Sequence, residues 1–350
     1  MKNFKTIGLT ALCGSLVAMT SAQAGELAVT GGMNATWTNI NNGSTGNPLG
    51  MATNLSFTGS GELDGGQDVS VLIAHGDKDA YSSANITLTT NSLGKFKVSQ
   101  AEGGAGIGGY DDNMPRAWEE SWDTGVGAGI DLTKGVGSST SISWTTPSFA
   151  GTTLQVAYAP RNDGIGVNDK AGSGVSGISG DGLDIVLDTS QSLGGASIDL
   201  FAGYSITERD PETGLGPQGN DNTKDREEGV AGITLGFGPV KAGLQSSVEY
   251  TGDNFTDTDV FGYRNVSWGV SFNVSDNLSV SYAEFESKQG KVAGGSGAAR
   301  PIISVDSIQV AYTMGGASIK IGETSVDDAA YVTGTSGDKD ATTVMLSLAF

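Results

Sequence analysis

The sequence has one cysteine, one histidine, eight prolines and few basic residues. Each shortage removes a class of protein. Cys13 lies inside an N-terminal leader, so no disulfide framework or thiolate metal site can form in the rest of the chain. A single His75 can assemble neither a catalytic triad nor a multi-histidine metal centre. Beyond residue 24 no stretch approaches the ~18 apolar residues of a membrane-spanning helix. Taking Lys2 and Lys5 of the leader from the 19 Lys and Arg leaves 17 against 39 Asp and Glu, a difference of −22. Nucleic acid, itself a polyanion, is the wrong partner for such a chain.

The leader comes first among what is present. Lys2 and Lys5, the apolar stretch from Ile7 to Met19 and the Ala22-Gln23-Ala24 pattern predict a secretory signal peptide over 1–24, cleaved from one domain, 25–350. Cys13 follows "TAL", without the small residue of a lipoprotein signal, so no lipid anchor is expected. Glycine then stands out, at 55 of 350, about twice its usual share.

The second abundance is alternation. "GELAVTGGMNATWTN" sets Leu27, Val29, Met33 and Trp37 on one face and Thr30, Asn34 and Thr36 on the other. The closing "TTVMLSLAF" sets Val344, Leu346, Leu348 and Phe350 against Thr343, Met345, Ser347 and Ala349. Sixteen such segments recur, with no amphipathic helix of ordinary length. Short turns such as "NSLG", "QSLGG" and "SDN" alternate with mostly long polar loops such as "ERDPETGLGPQGNDNTKDREE". Two chemically different ends predict an all-β fold: a transmembrane antiparallel β-barrel of 16 strands with short periplasmic turns and long extracellular loops. Closure is required, because an open sheet edge finds no hydrogen-bond partner in hydrocarbon.

The aliphatic phase is expected to face lipid. Aromatics mark its ends, at Trp37, Trp144, Tyr158, Phe237, Tyr250, Phe272, Tyr312 and Phe350. The opposite phase carries Ser, Thr and Asn with Lys97, Gln155, Asp184, Asp188, Asp199, Lys241, Gln245, Glu249 and Lys320. Those groups would cost ~1–3 kcal/mol each if buried unpaired, so they are expected to face water.

A sixteen-stranded barrel leaves an aqueous channel unless something narrows it. The candidate is the segment 100–127 after the fifth strand. It holds Glu102, Asp111, Asp112, Glu119, Glu120 and Asp123 against a single Arg116, with Lys95 and Lys97 on the wall just before it. "DDNMPRAWEE" predicts a short helix, with an Asp cap and Pro115 in its first turn, on the glycine leash "EGGAGIGG". Six acids against one base would enrich cations in the lumen. "GAGIGG" has dinucleotide-loop spacing but no βαβ unit around it. No cofactor is expected. The acidic loops are candidates for weakly held calcium or magnesium, with plain solvation the simpler reading. A sugar-selective channel would need a lumenal aromatic track, for which Phe201 and Phe261 are the inward candidates. A secreted β-rich adhesin is a further alternative. An enzyme is disfavoured for want of a nucleophile–base pair.

The cleavage site followed at once by "GELAVTGG", the alternating last strand ending in Phe350 and the single long third loop resemble the Gram-negative general-diffusion porins, most like their sixteen-stranded alphaproteobacterial kind. The resemblance implies a homotrimer of water-filled barrels in the cell outer membrane, in contact with its lipid and lipopolysaccharide. It implies passive diffusion of small hydrophilic solutes, a third loop folded into the lumen, and a final strand (Val344, Leu346, Leu348, Phe350) read by the outer-membrane assembly machinery. One departure stands out. Classical members oppose the acidic loop with clustered arginines, whereas the inward phase of the first four strands here offers Asn, Thr and Ser. A cation preference without a strong transverse field is the expectation.

Overall fold

The computed structural model describes residues 25–42, 46–77, 82–160, 179–209, 224–252, 260–291 and 300–350. Residues 1–24, the expected leader, and much of the long polar loops lie outside these residues. All sixteen predicted strands are present. The first seven are β1 (Glu26–Asn41), β2 (Leu49–Glu62), β3 (Asp68–Gly76), β4 (Ser83–Thr90), β5 (Gly94–Gln100), β6 (Ser141–Thr145) and β7 (Thr152–Ala159). The chain continues through β8 (Ser179–Leu193), β9 (Ala196–Arg209), β10 (Arg226–Phe237), β11 (Val240–Tyr250) and β12 (Val260–Asn273). It ends with β13 (Leu278–Lys291), β14 (Ile302–Met314), β15 (Ala317–Asp327) and β16 (Lys339–Ala349). Every strand pairs antiparallel with its sequence neighbours, and β16 closes on β1.

Closure explains the unusual chain end. β1 and β16 pair from Gly32 opposite Ala349 to Asn41 opposite Asp340. The Phe350 amide donates to the Gly31 carbonyl at 3.0 Å, and the Gly31 amide returns a bond to Phe350 O at 3.2 Å. The last residue thus completes the final seam, while Leu346, Leu348 and Phe350 lie exposed on the outer face. The wall has uneven height. Strands β4, β5 and β6 have 8, 7 and 5 residues, whereas β8, β12 and β13 have 15, 14 and 14.

Over most of the wall the polarity is that of a membrane barrel: on β8, Leu183, Ile185 and Leu187 are exposed outward while Asp184 is buried inward. Toward the long-loop end of β13–β16 the pattern reverses. Here Phe285, Ile303, Val305, Val326 and Ala341 point inward and are buried, packed with Val126, Ala128 and Ala329. The outward phase of the same stretch carries Glu284, Glu286, Asp306, Glu323 and Asp340. Hydrocarbon would not accept that row of carboxylates. The sector therefore stands above the apolar band, and its aromatic boundary is visible. The Tyr282 hydroxyl lies 2.6 Å from Glu284 and 2.7 Å from Asp306, and Trp268 Nε1 donates to Glu284 at 2.9 Å. The expectation of oily outside and wet inside thus needs correction in this sector, where the barrel is built like a water-soluble sheet.

Candidate functional site

What fills that sector is the connection between β5 and β6. It runs from 101 to 140, beyond the expected 100–127, and lies inside the barrel. It is rooted at Glu102, which is ion-paired with Lys97 and accepts a bond from Asn85 Nδ2 at 2.5 Å. The outgoing limb then steps along the wall strand by strand. Ile107 N donates to Asp184 on β8 at 2.9 Å, and Asn113 N donates to Gln245 on β11 at 2.9 Å. Ala117 N donates to Ser281 on β13 at 2.9 Å. Trp118 N and Glu119 N converge on Gln309 Oε1 of β14 at 3.1 and 2.9 Å. On β16, Thr343 Oγ1 donates to Thr124 O at 2.6 Å. The return limb comes back above. Asn265 Nδ2 donates to Asp131 O at 2.9 Å, Glu228 accepts Lys134 N and Gly135 N at 2.8 Å each, and Val136 N returns to Asp184 at 3.1 Å.

The helix expected over "DDNMPRAWEE" is not formed. Wall side chains take the amides that an intrahelical ladder would have used, so the backbone is satisfied without a helix. The loop's helical turn is instead a 3-10 turn at Gly106–Tyr110, within the expected leash. Asp112 still caps locally, since its carboxylate accepts Met114 N at 3.0 Å and Trp122 Nε1 at 3.2 Å.

Sequence reasoning missed the seats on the wall. Gln245 and Gln309 are buried under the loop instead of wet. The Gln245 carboxamide also donates to Tyr110 O and Asp111 O, and that of Gln309 to Glu119 O at 2.7 Å. Glycine makes room for the chain. A Cβ on Gly243 would meet Pro115 Cδ at 2.7 Å, and one on Gly203 would meet Ile107 Cγ2 at 2.6 Å. Single glycines inside strands, as in "KAGLQ" and "FAGYS", are the signal that could have located this lane. Phe201 packs against Tyr110, ring centroids 4.9 Å apart, and is only 8% exposed, so it is a seat and not part of a lumenal aromatic track.

The charged residues divide into groups. Glu102 is balanced by Lys97 at the root; Lys95 shares its inward phase nearer the short-turn end. Asp112 is buried, and burial pushes its carboxyl up to about 6. Arg116 pairs with Glu120 at 2.5 Å. Carboxylate oxygens of Glu119, Glu120 and Asp123 all lie within 4.8 Å of one another, the grouping among the described residues that could hold a cation. Burial, then the hydrogen bond and charge of Glu120, push Glu119 up to about 8. For Glu120 burial works upward, but the Glu119 hydrogen bond and Arg116 outweigh it and hold the carboxyl below its usual range. Burial raises Asp111 and Asp123. Six free acids against one base is therefore an overcount: two are ion-paired, one is buried and one holds a proton at neutral pH. Across the lumen, the middle of β1–β4 presents Asn34, Thr36, Asn54, Ser56, Asn85 and Thr87, with Leu72 and Ala74 on β3 and no arginine.

A family model described as Gram-negative porin matches residues 8–350. Solved structures share the barrel at low identity. OmpF of Salmonella typhi, in complex with daunomycin, superposes with a TM-score of 0.63 at 14% identity over 93% of this chain and 98% of that one. An anion-selective porin from Comamonas acidovorans gives 0.60 at 15% over 93% and 100%. OmpT of Vibrio cholerae gives 0.60 at 9% over 95% and 99%. No curated protein sequence matches. One neighbour being anion-selective, the shared barrel alone does not fix which ion a chain prefers.

Proposed function

The chain belongs to the Gram-negative porin family and is an outer-membrane diffusion channel, and on that premise we propose that it favours cations because of its inner loop. The observation that carries this reading is the proximity of Glu119, Glu120 and Asp123, within 4.8 Å, with only Arg116 as a basic neighbour on the same limb. At ~7 Å a unit charge is worth roughly 0.6 kcal/mol in water, and salt screens it over about 8–10 Å. The negative charge left over on this limb, on Asp111 and Asp123 beside the Glu120–Arg116 pair, faces a wall without arginine and gives a moderate, salt-sensitive preference for small hydrophilic cations. No bond is made or broken in transit. The acidic loop "DPETGLGPQGNDNTKDREE", a candidate for weakly held calcium or magnesium, lies mostly outside the described residues; among those described, Glu119, Glu120 and Asp123 are close enough to share such an ion.

The remaining expectations follow the family likeness. The short strands β4–β6, with exposed Ile86, Val98 and Ile142, offer a low apolar wall suited to contact between copies in a homotrimer. The outer surface meets lipid and lipopolysaccharide, the strand ending in Phe350 addresses the assembly machinery, and residues 1–24 are the cleaved leader. The test is the reversal potential of the purified channel in a planar bilayer under asymmetric KCl. A value on the cation side is expected; one on the anion side overturns the acidic-loop reading.

A further inference from the structure

The connection between β15 and β16, residues 328–338, has a backbone that barrel closure does not require. Asp328, Ala330 and Tyr331 have φ of 54, 54 and 60°, left-handed and none of them glycine. Most such positions elsewhere in the described chain are glycine, as at Gly315 (φ 60°) in the β14–β15 turn. A bulky residue in this region is strained, and it persists only where its surroundings over-determine it. Pairing of β15 with β16 is already complete at Val326 opposite Lys339, so the strain answers to something else.

That something is the return limb of the inner loop. Ala330 N donates to Ala128 O at 2.8 Å, and Lys339 Nζ, at the start of β16, donates to Gly127 O at 3.0 Å. Ala330 also packs on Gly129, whose missing Cβ would lie 3.1 Å from that of Ala330. The Tyr331 hydroxyl accepts Asp131 N at 3.2 Å and lies 2.6 Å from Ser287 Oγ on β13. Its ring sits 5.4 Å from that of Tyr263 on β12. Four residues of the limb, Gly127, Ala128, Gly129 and Asp131, are thereby held from one side, while Ala329 enters the same buried cluster as Val126 and Ala128.

We propose that the β15–β16 connection is a strained clasp on the inner loop, and that Tyr331 is a residue that positions the constriction without itself lining it. The proposal rests on the channel reading above. With the clasp released, the limb leaves the wall and the outgoing limb beneath it loses its cover. The acidic focus is then no longer fixed.

The test compares the full-length channel with Tyr331→Phe, which keeps the ring and removes the hydroxyl, and with Ser287→Ala, which removes its other partner. In planar bilayers both variants are expected to close several-fold more often at a given voltage, with a reversal potential nearer zero. Combining them should add little, because one hydroxyl is at issue. Trypsin added to the folded channel gives a readout independent of conduction: cleavage after Lys134 should be several-fold faster in either variant. Equal cleavage rates overturn the clasp whether or not the channel conducts. So does a lowered melting temperature with unchanged closure and reversal potential. A wild type that resists trypsin but favours anions would sink the acidic-loop reading and leave the clasp standing.

Discussion

The two sides of this barrel obey different rules. From β8 to β16 the inner wall is covered: its polar side chains bond the inner loop, its glycines make room for it, and its upper edge encloses an apolar cluster. Among the described residues, the inner wall of β2–β5 meets the loop only at its root, where Lys97 and Asn85 hold Glu102. Its Asn, Ser and Thr face open lumen. One closed sheet thus holds a half that is covered at the height of the loop and a half that is bare there, and the same residue type has opposite duties in each. A Gln on the covered side is a clamp; an Asn on the bare side is a lumen lining.

The comparison can be broken most forcefully at a seat. Gly243→Val would drive side-chain atoms into Pro115, and overpacking of this kind costs ~1–3 kcal/mol. The loop should be pushed off the wall into the bore, the unitary conductance should fall, and the melting temperature should fall; Ser56→Val on the bare wall should do none of these. Next comes Gln309→Leu, which leaves Trp118 N, Glu119 N and Glu119 O without their partner. At roughly 1–3 kcal/mol for a buried group left unmade, thermal unfolding should show a loss of a few kcal/mol. An unchanged transition would mean that the loop is not clamped there.

Neutralising the acidic focus should act on selectivity with little effect on stability. Glu119→Gln is expected to cost little of the cation preference at pH 7, because burial and the neighbouring Glu120 push Glu119 up to about 8 and it holds its proton there. An acid with a raised pKa is neutral below it and charged above it. The wild-type preference should therefore strengthen from pH 7 to 9, and the reversal potential of Glu119→Gln should stay flatter over that range. A smaller effect is expected from Ser56→Arg, a single cation set on the bare wall. It should lower the preference by about threefold at most, as one charge in water at ~7 Å allows, and less at high salt. The smallest is Asp306→Asn on the outer face above the apolar band, within about 0.5 kcal/mol of neutral. A large loss there would place that sector in lipid.

Much of this was legible in the chain. All sixteen strands were, because lipid on one face and water or loop on the other impose a period of two that survives any detail of packing. The reversal in the upper sector was also written, though unread. In "IISVDSIQV" the inward phase passes from Ile303 and Val305 to Ser307 and Gln309, while the outward phase passes from Asp306 to Ile308 and Val310. A strand that exchanges its faces midway is leaving one solvent for another. The inner loop was less legible. Its acids and its place after β5 could be read, but local cap and Pro signals predicted a helix that wall side chains pre-empted. The signals at Asp112 and Pro115 were real; the hydrogen-bond partners were far away in sequence.

Alternation and loop lengths by themselves determined a closed, membrane-crossing barrel with one long acidic connection after β5, since the barrel depends only on which solvent each face of each strand can tolerate. Only the tertiary structure decided which half of the bore is covered, which carboxylates are paired, and that Tyr331 holds the loop from outside it. Those outcomes depend on contacts such as Glu119 with Gln309 and Asp131 with Tyr331, separated by 190 and 200 residues. A one-dimensional pattern shows that a polar group needs a partner; it does not show where the partner is.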